Sequence, residues 1–181
     1  MWKNVMTVSS LAICLVVVAC EKKPALPAAP APAASGSELV LPTGFFLAGT
    51  PKEAVEVKDA KPNAKVGDTV TIIGRIGGSR EPFVDGRAIF TLVDTRLKAC
   101  GEGAEEDGCK TPWDYCCEPR KELTANMATV RIVGADGQPL KSGLMNVQGL
   151  KPLARVTVVG TVAEAEGGVL VVNASGVHVV Q

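Results

Sequence analysis

Four cysteines, Cys100, Cys109, Cys116 and Cys117, fall within eighteen residues of a 181-residue chain that holds six in all. Thiols at this density admit three chemistries: disulfide formation, binding of a soft metal ion, or redox exchange. The intervals between them are eight residues, six residues and none. These differ from the paired Cys-x-x-Cys knuckles of common zinc sites. Adjacent cysteines also direct their side chains apart, which disfavours a shared ion. An even, clustered set favours disulfides in an exported chain, and export is what the N-terminus implies. Two disulfides are therefore predicted, with no metal and no cofactor. Of the three pairings, the one that joins Cys116 to Cys117 closes a strained small ring. Cys100–Cys116 with Cys109–Cys117, and Cys100–Cys117 with Cys109–Cys116, both remain open. A redox or metal-handling protein is the alternative that keeps the thiols reduced.

The same segment carries Trp113 and Tyr115, predicted to form a small local core beneath the crosslinks. Its carboxylates, Glu102, Glu105, Glu106, Asp107, Asp114 and Glu118, lack the spacing of a calcium loop and read as a solvated charge run. His178 is the only histidine, and no motif places a serine or cysteine beside it. It reads as a half-exposed structural residue, and no catalytic triad is supported. The chain is accordingly predicted to be non-enzymatic. Candidate ligand-contacting residues are Arg80, Phe83, Arg96, Trp113 and Tyr115.

The elements that position these residues read as short β-strands between Gly-rich turns. Thr69–Gly78 is a β-branched strand whose glycines invite a bulge or sharp coil. Asp85-Gly86 turns it into Arg87–Asp94. The cysteine-rich insertion spans 95–126. Further strands are predicted over Ala128–Val133, Ala154–Val162 and Val169–Ala174, with a separate closing stretch Gly176–Val180. Residues 138–153 form a connector with a short helical turn. Residues 38–65 are transitional: Leu39-Val40-Leu41 or Phe45-Phe46-Leu47 should pack on the domain edge, and Ala54–Val57 should form a short leading strand.

The coiled Gly-rich strand, the hairpin to "FTLVD" and the late pair "VTVVGTV … VLVVNA" resemble OB-fold domains, particularly those of tRNA synthetases and helicases. The resemblance covers residues 66–181 and implies a mainly β, five-stranded Greek-key barrel, with a helix or loop between its third and fourth strands. It also implies a nucleic-acid-binding alternative. The segment "CKTPWDYCCE" resembles uncharacterised exported proteins of planctomycete-type bacteria, which supply no activity.

The N-terminus opens with one positive charge at Lys3, followed by an apolar stretch to Ala19, the proportions of a signal-peptide core. Val17-Val18-Ala19-Cys20 resembles the bacterial lipobox. That resemblance implies cleavage after residue 19, lipidation of Cys20, and localisation to the cell envelope on a periplasmic or outer membrane face. Residues 20–37 carry prolines at 24, 27, 30 and 32 and read as an extended tether that packs no core.

Charge narrows the function further. Losing Lys3 with the signal takes the basic count from 19 to 18 against 19 acidic residues, a net charge of −1. From residue 66 onward there are 12 basic and 14 acidic side chains and four aromatics, Phe83, Phe90, Trp113 and Tyr115. Binding of single-stranded nucleic acid draws on a cationic groove and stacking rings. Nucleic acid is therefore disfavoured. The reading that remains is a membrane-anchored binding or interaction module, with an envelope protein or a small ligand as its partner.

Overall fold

The computed structural model describes residues 39–102 and 108–180. The predicted signal peptide, Cys20, the predicted tether and the acidic residues at 105–107 lie outside the described residues. The regular elements are β1 (Val55–Glu56), α1 (Val57–Ala60), β2 (Thr69–Ile76), β3 (Ile89–Val93), α2 (Arg120–Ala125), β4 (Met127–Arg131), β5 (Arg155–Glu164) and β6 (Val171–Val179). Among the described residues no helix is long and apolar enough to cross a membrane.

Strands β2 to β6 close a mixed barrel. β2 pairs antiparallel with β3 and β5, β3 with β4, and β5 with β6, while β4 and β6 run parallel. Closure leaves no free edge among the five. The mainly β, OB-fold-like barrel implied by the sequence is thus present.

The period-two pattern explains the interior. Ile72 and Ile76 of β2, Phe90 and Leu92 of β3, and Val156 and Val158 of β5 are all fully buried in one core. Burying each contributes roughly 1.5–3 kcal/mol. Gly74 takes an inward position between the two isoleucines because a Cβ there would lie 2.6 Å from Leu92 Cγ and 2.7 Å from the Val93 carbonyl oxygen.

The transitional segment belongs to the same folded unit. Phe45 and Val57 enter the main core, Leu39, Leu41 and Phe46 pack against it, and Phe46 bridges to Val177. Both apolar clusters pack, where only one was expected. The short leading strand is β1, parallel to β2.

Two elements differ from the sequence reading. The closing stretch is not separate: β6 runs unbroken from Val171 to Val179. Ser175 is absorbed as an extra residue, because Gly160 faces Ala174 while Val159 faces Gly176. The barrel's helix, α2, lies between its second and third strands, inside the insertion. The connector between the third and fourth strands carries the short helical turn expected of it, the 3-10 turn Val147–Gly149.

The start of α1 is clasped to the end of β3. Asp94, fully buried, accepts the Lys58 N–H at 2.9 Å and the Arg96 N–H at 3.0 Å. The Arg96 guanidinium donates to both carboxylate oxygens of Asp94, each at 2.9 Å. In return Glu56 accepts the N–H and the hydroxyl of Thr95.

Candidate functional site

The cysteine-rich insertion leaves the barrel after β3 and returns through α2 to β4. Its anchor is a small core of Val93, Ala99, Tyr115 and Leu123, with Leu97, Met127 and Leu153 packed against it. Tyr115 is fully buried, and burial pushes its phenol up to about 12. Trp113 does not share that core. It is half-buried, and its indole N–H donates to the Arg80 carbonyl at 3.0 Å.

Glycine at 77 and 78 lets this insertion lie directly on the barrel. A Cβ at Gly77 would sit 2.6 Å from the Trp113 carbonyl oxygen, and one at Gly78 would sit 2.5 Å from the Met127 sulfur. The Gly78 N–H donates to the Trp113 carbonyl at 2.8 Å. The glycines that suggested a bulge in sequence therefore provide a flat seat for the turn Pro112–Asp114.

That turn ends at Tyr115 in the left-handed conformation, φ 54°. A bulky residue is costly there, by about 1–3 kcal/mol. Packing of the ring in the small core offsets it. The reversal brings Cys116 and Cys117 back to Cys100. Asp114 fixes it by accepting the Thr111 hydroxyl at 2.7 Å and the Cys116 N–H at 2.9 Å. The Thr111 hydroxyl, with the Cys116 N–H and thiol, holds the Asp114 carboxyl below the usual carboxylate range against the opposing effect of burial.

The four sulfurs converge on one region, and no sulfur–sulfur bond joins any of them. Cys116 Sγ lies 3.6 Å from Cys100 Sγ, 3.7 Å from Cys109 Sγ and 4.0 Å from Cys117 Sγ. A disulfide bond is about 2.05 Å long. The two predicted disulfides are thus not formed. The geometric reason is that Cys116 is nearly equidistant from two candidate partners and is committed to neither. The adjacent pair does not diverge either, since the Tyr115 reversal places both sulfurs in the cluster.

Cys100 is the buried member of the group. Burial pushes its thiol up, but hydrogen bonds from the Cys117 thiol and N–H and from the Cys116 and Cys109 thiols outweigh burial and bring it below the ordinary value. Cys116 is raised as the donating partner, first by Cys100 and then by Cys109 and Asp114. Cys116 and Cys117 are exposed, so solvent reaches the cluster. Glu102, two residues after Cys100, pairs with Arg75 at 2.5 Å and accepts the Ala99 N–H at 3.1 Å.

Beside the cluster lies a cleft of about 380 Å³, lined by Ser79, Arg80, Tyr115, Glu118, Arg120 and Leu123. It sits between the β2–β3 loop and the insertion. The β2–β3 loop is one of the two loops OB folds use for binding. The chain matches no protein-family model, no curated protein and no solved structure. The geometry therefore carries the functional reading.

Of the five candidate contact residues, Arg80 and Tyr115 line the cleft and Trp113 braces it. Two are placed elsewhere. Phe83 packs on Phe90, ring centroids 6.1 Å apart, because the β2–β3 loop folds back along β3. Arg96 is held by Asp94 and Asp59, and so serves the α1 clasp. Glu118, Arg120 and Ser79 were not singled out in sequence. Arg120 becomes a wall residue only because α2 forms, and the one sequence sign of that helix is Pro119 directly before it. His178 is structural as expected, with Nδ1 2.9 Å from the Leu47 carbonyl.

Proposed function

We propose that the protein is a non-catalytic binding module, held at a membrane by lipid on Cys20, that takes a small polar ligand or a polar segment of an envelope protein. The observation that supports this most is the cleft between the β2–β3 loop and the insertion, where Arg80 and Arg120 stand beside Glu118. Opposite charges in one concave site suit a ligand bearing both signs. Larger depressions flank α1, but there Lys61 is already engaged by the Thr124 and Met127 carbonyls and Lys58 by Glu122. The even charge balance argues against a nucleic-acid backbone as the partner.

Site-specific photo-crosslinking in intact cells tests the cleft. A crosslinking side chain at Ser79 should capture a defined envelope component. The same group at exposed Thr161, near the other end of β5, should not. Adding Arg120→Glu should reduce the Ser79 product several-fold. Equal capture from both positions, or indifference to the charge reversal, would count against binding at the cleft.

The tether has its own test. Cys20→Ser should shift the chain from the detergent-extracted membrane fraction to the soluble one, or leave unprocessed precursor of higher mass. A variant with the wild-type partition and mature mass would remove lipidation from the proposal.

A further inference from the structure

We propose that Cys100, Cys109, Cys116 and Cys117 form a tetrathiolate site for one soft divalent cation, zinc foremost, that fastens the insertion to the barrel. The inference does not depend on what the cleft binds.

The sulfur positions carry it. Zinc–thiolate bonds of about 2.3 Å in a tetrahedron imply sulfur–sulfur edges of ~3.8 Å. The three separations from Cys116, 3.6, 3.7 and 4.0 Å, all fall within a few tenths of that value. Thiols in simple contact sit at similar separations, so it is the gathering of four of them at one solvent-reached point that suits a cation. Cys100, Cys109 and Cys117 each contact Cys116, so every sulfur has a contact within the group.

The surroundings suit a bound cation. Four thiolates around a divalent ion carry a net charge of −2, which needs N–H donors. The Cys117 N–H already donates to the Cys100 sulfur. The Cys116 N–H is held by Asp114, which fixes the direction of the neighbouring sulfur. An ion reaches the group through its exposed side, at Cys116 and Cys117.

The donor set also selects the ion. Asp114 has an oxygen close to the Cys100, Cys109 and Cys116 sulfurs, all four ligand atoms lying within 4.8 Å of one another. Both its oxygens, however, are occupied in capping the turn, by Thr111 and by Cys116. It orients the ligands, and Cys117, whose sulfur lies 4.0 Å from that of Cys116, is the thiol that would take the fourth position. Calcium and magnesium take six or more oxygen ligands, which are not assembled here. Four protein ligands leave no open position, which makes the site structural rather than catalytic.

The test uses the full-length chain, purified anaerobically in detergent, stripped with chelator and then given Zn²⁺ or Co²⁺ alone. One equivalent of either ion should bind. Co²⁺ should develop the strong visible bands and thiolate charge-transfer absorption of a tetrahedral sulfur site, and Zn²⁺ should abolish them. Cys100→Ser and Cys117→Ser should each lose the full tetrathiolate spectrum, whereas Asp114→Asn should retain it. Circular dichroism of the stripped wild type shows whether the barrel is folded, so the binding result stands even where a serine variant unfolds. Folded, reduced wild type that takes up neither ion would overturn the proposal. So would a six-coordinate oxygen spectrum, or a Cys117→Ser protein with unaltered bands.

Discussion

Replacing Asp94 by alanine is expected to lower unfolding free energy by about 3 kcal/mol, the combined loss of charge-assisted hydrogen bonds and the exposure of unpaired donors. The carboxylate is fully buried and holds three groups at once: the Lys58 N–H, the Arg96 N–H and the Arg96 guanidinium. Its removal leaves the Lys58 N–H at the head of α1 without its acceptor and weakens the clasp between α1 and the end of β3. Burial alone would push the Asp94 carboxyl up. The Arg96 guanidinium, with the Lys58 and Arg96 N–H groups, outweighs it and holds the carboxyl below its ordinary value. A carboxyl depressed in the folded state binds fewer protons there than in the unfolded chain. The stability it supplies is complete above the ordinary carboxyl value of about 3.9 and is lost as pH falls through the lower folded value. Urea unfolding at a series of acid pH values should therefore show wild type losing stability more steeply than Asp94→Asn, with the two converging at the acid end. Parallel curves would show that the clasp contributes nothing through its charge.

The second large effect is expected at Gly160. A Cβ built there would lie 2.4 Å from the Asn173 carbonyl oxygen, 2.7 Å from Val172 Cγ1 and 3.0 Å from Ala174 Cα. Two of those three atoms are backbone of the neighbouring strand, so no rotamer change relieves the contact. The position also sits at the register shift where β6 absorbs Ser175. Gly160→Ala should cost about 3 kcal/mol, the upper part of the range for overpacking a filled interior. Gly143→Ala is the control, because nothing lies within 4 Å of its Cβ position, and a change within about 0.5 kcal/mol is expected. Chemical denaturation of the two variants side by side is the check. Equal stabilities would mean that β5 and β6 do not approach as closely as described.

Strands with β-branched alternation were legible in the sequence because the barrel interior reads every second residue. β2 and β5 show it most plainly: they pair side by side, Ile72 in register with Val158, and Ile72, Ile76, Val156 and Val158 all enter one core. β6 was read as two pieces because Ala174-Ser175-Gly176 has the composition of a break. Nothing local shows that β5 has a glycine opposite to receive the extra residue. α2 was missed because only Leu123 of its six residues is buried, which gives no helical period to detect. The site was less legible than the fold. Arg96 looked like a loop cation, since its partner Asp59 lies 37 residues away in sequence. Phe83 looked like an exposed ring because its contact with Phe90 depends on the path of the β2–β3 loop. The cysteine spacing suggested crosslinks. What gathers the sulfurs instead is the left-handed Tyr115 and the glycine seat at 77 and 78, and both depend on tertiary packing.

Four thiols converge beside the cleft in place of two disulfides, with Cys116 in its lining, and counting those thiols is the most direct test. The protein, isolated from cells under argon, should be denatured with chelator present and reductant absent, alkylated, and mapped by mass spectrometry. Cys100, Cys109, Cys116 and Cys117 should all carry the alkyl label, as expected of thiols or metal-bound thiolates. A chain in which none of the four is labelled until reductant is added, with a mass four hydrogens lower before that step, would show two disulfides and contradict the convergent cluster.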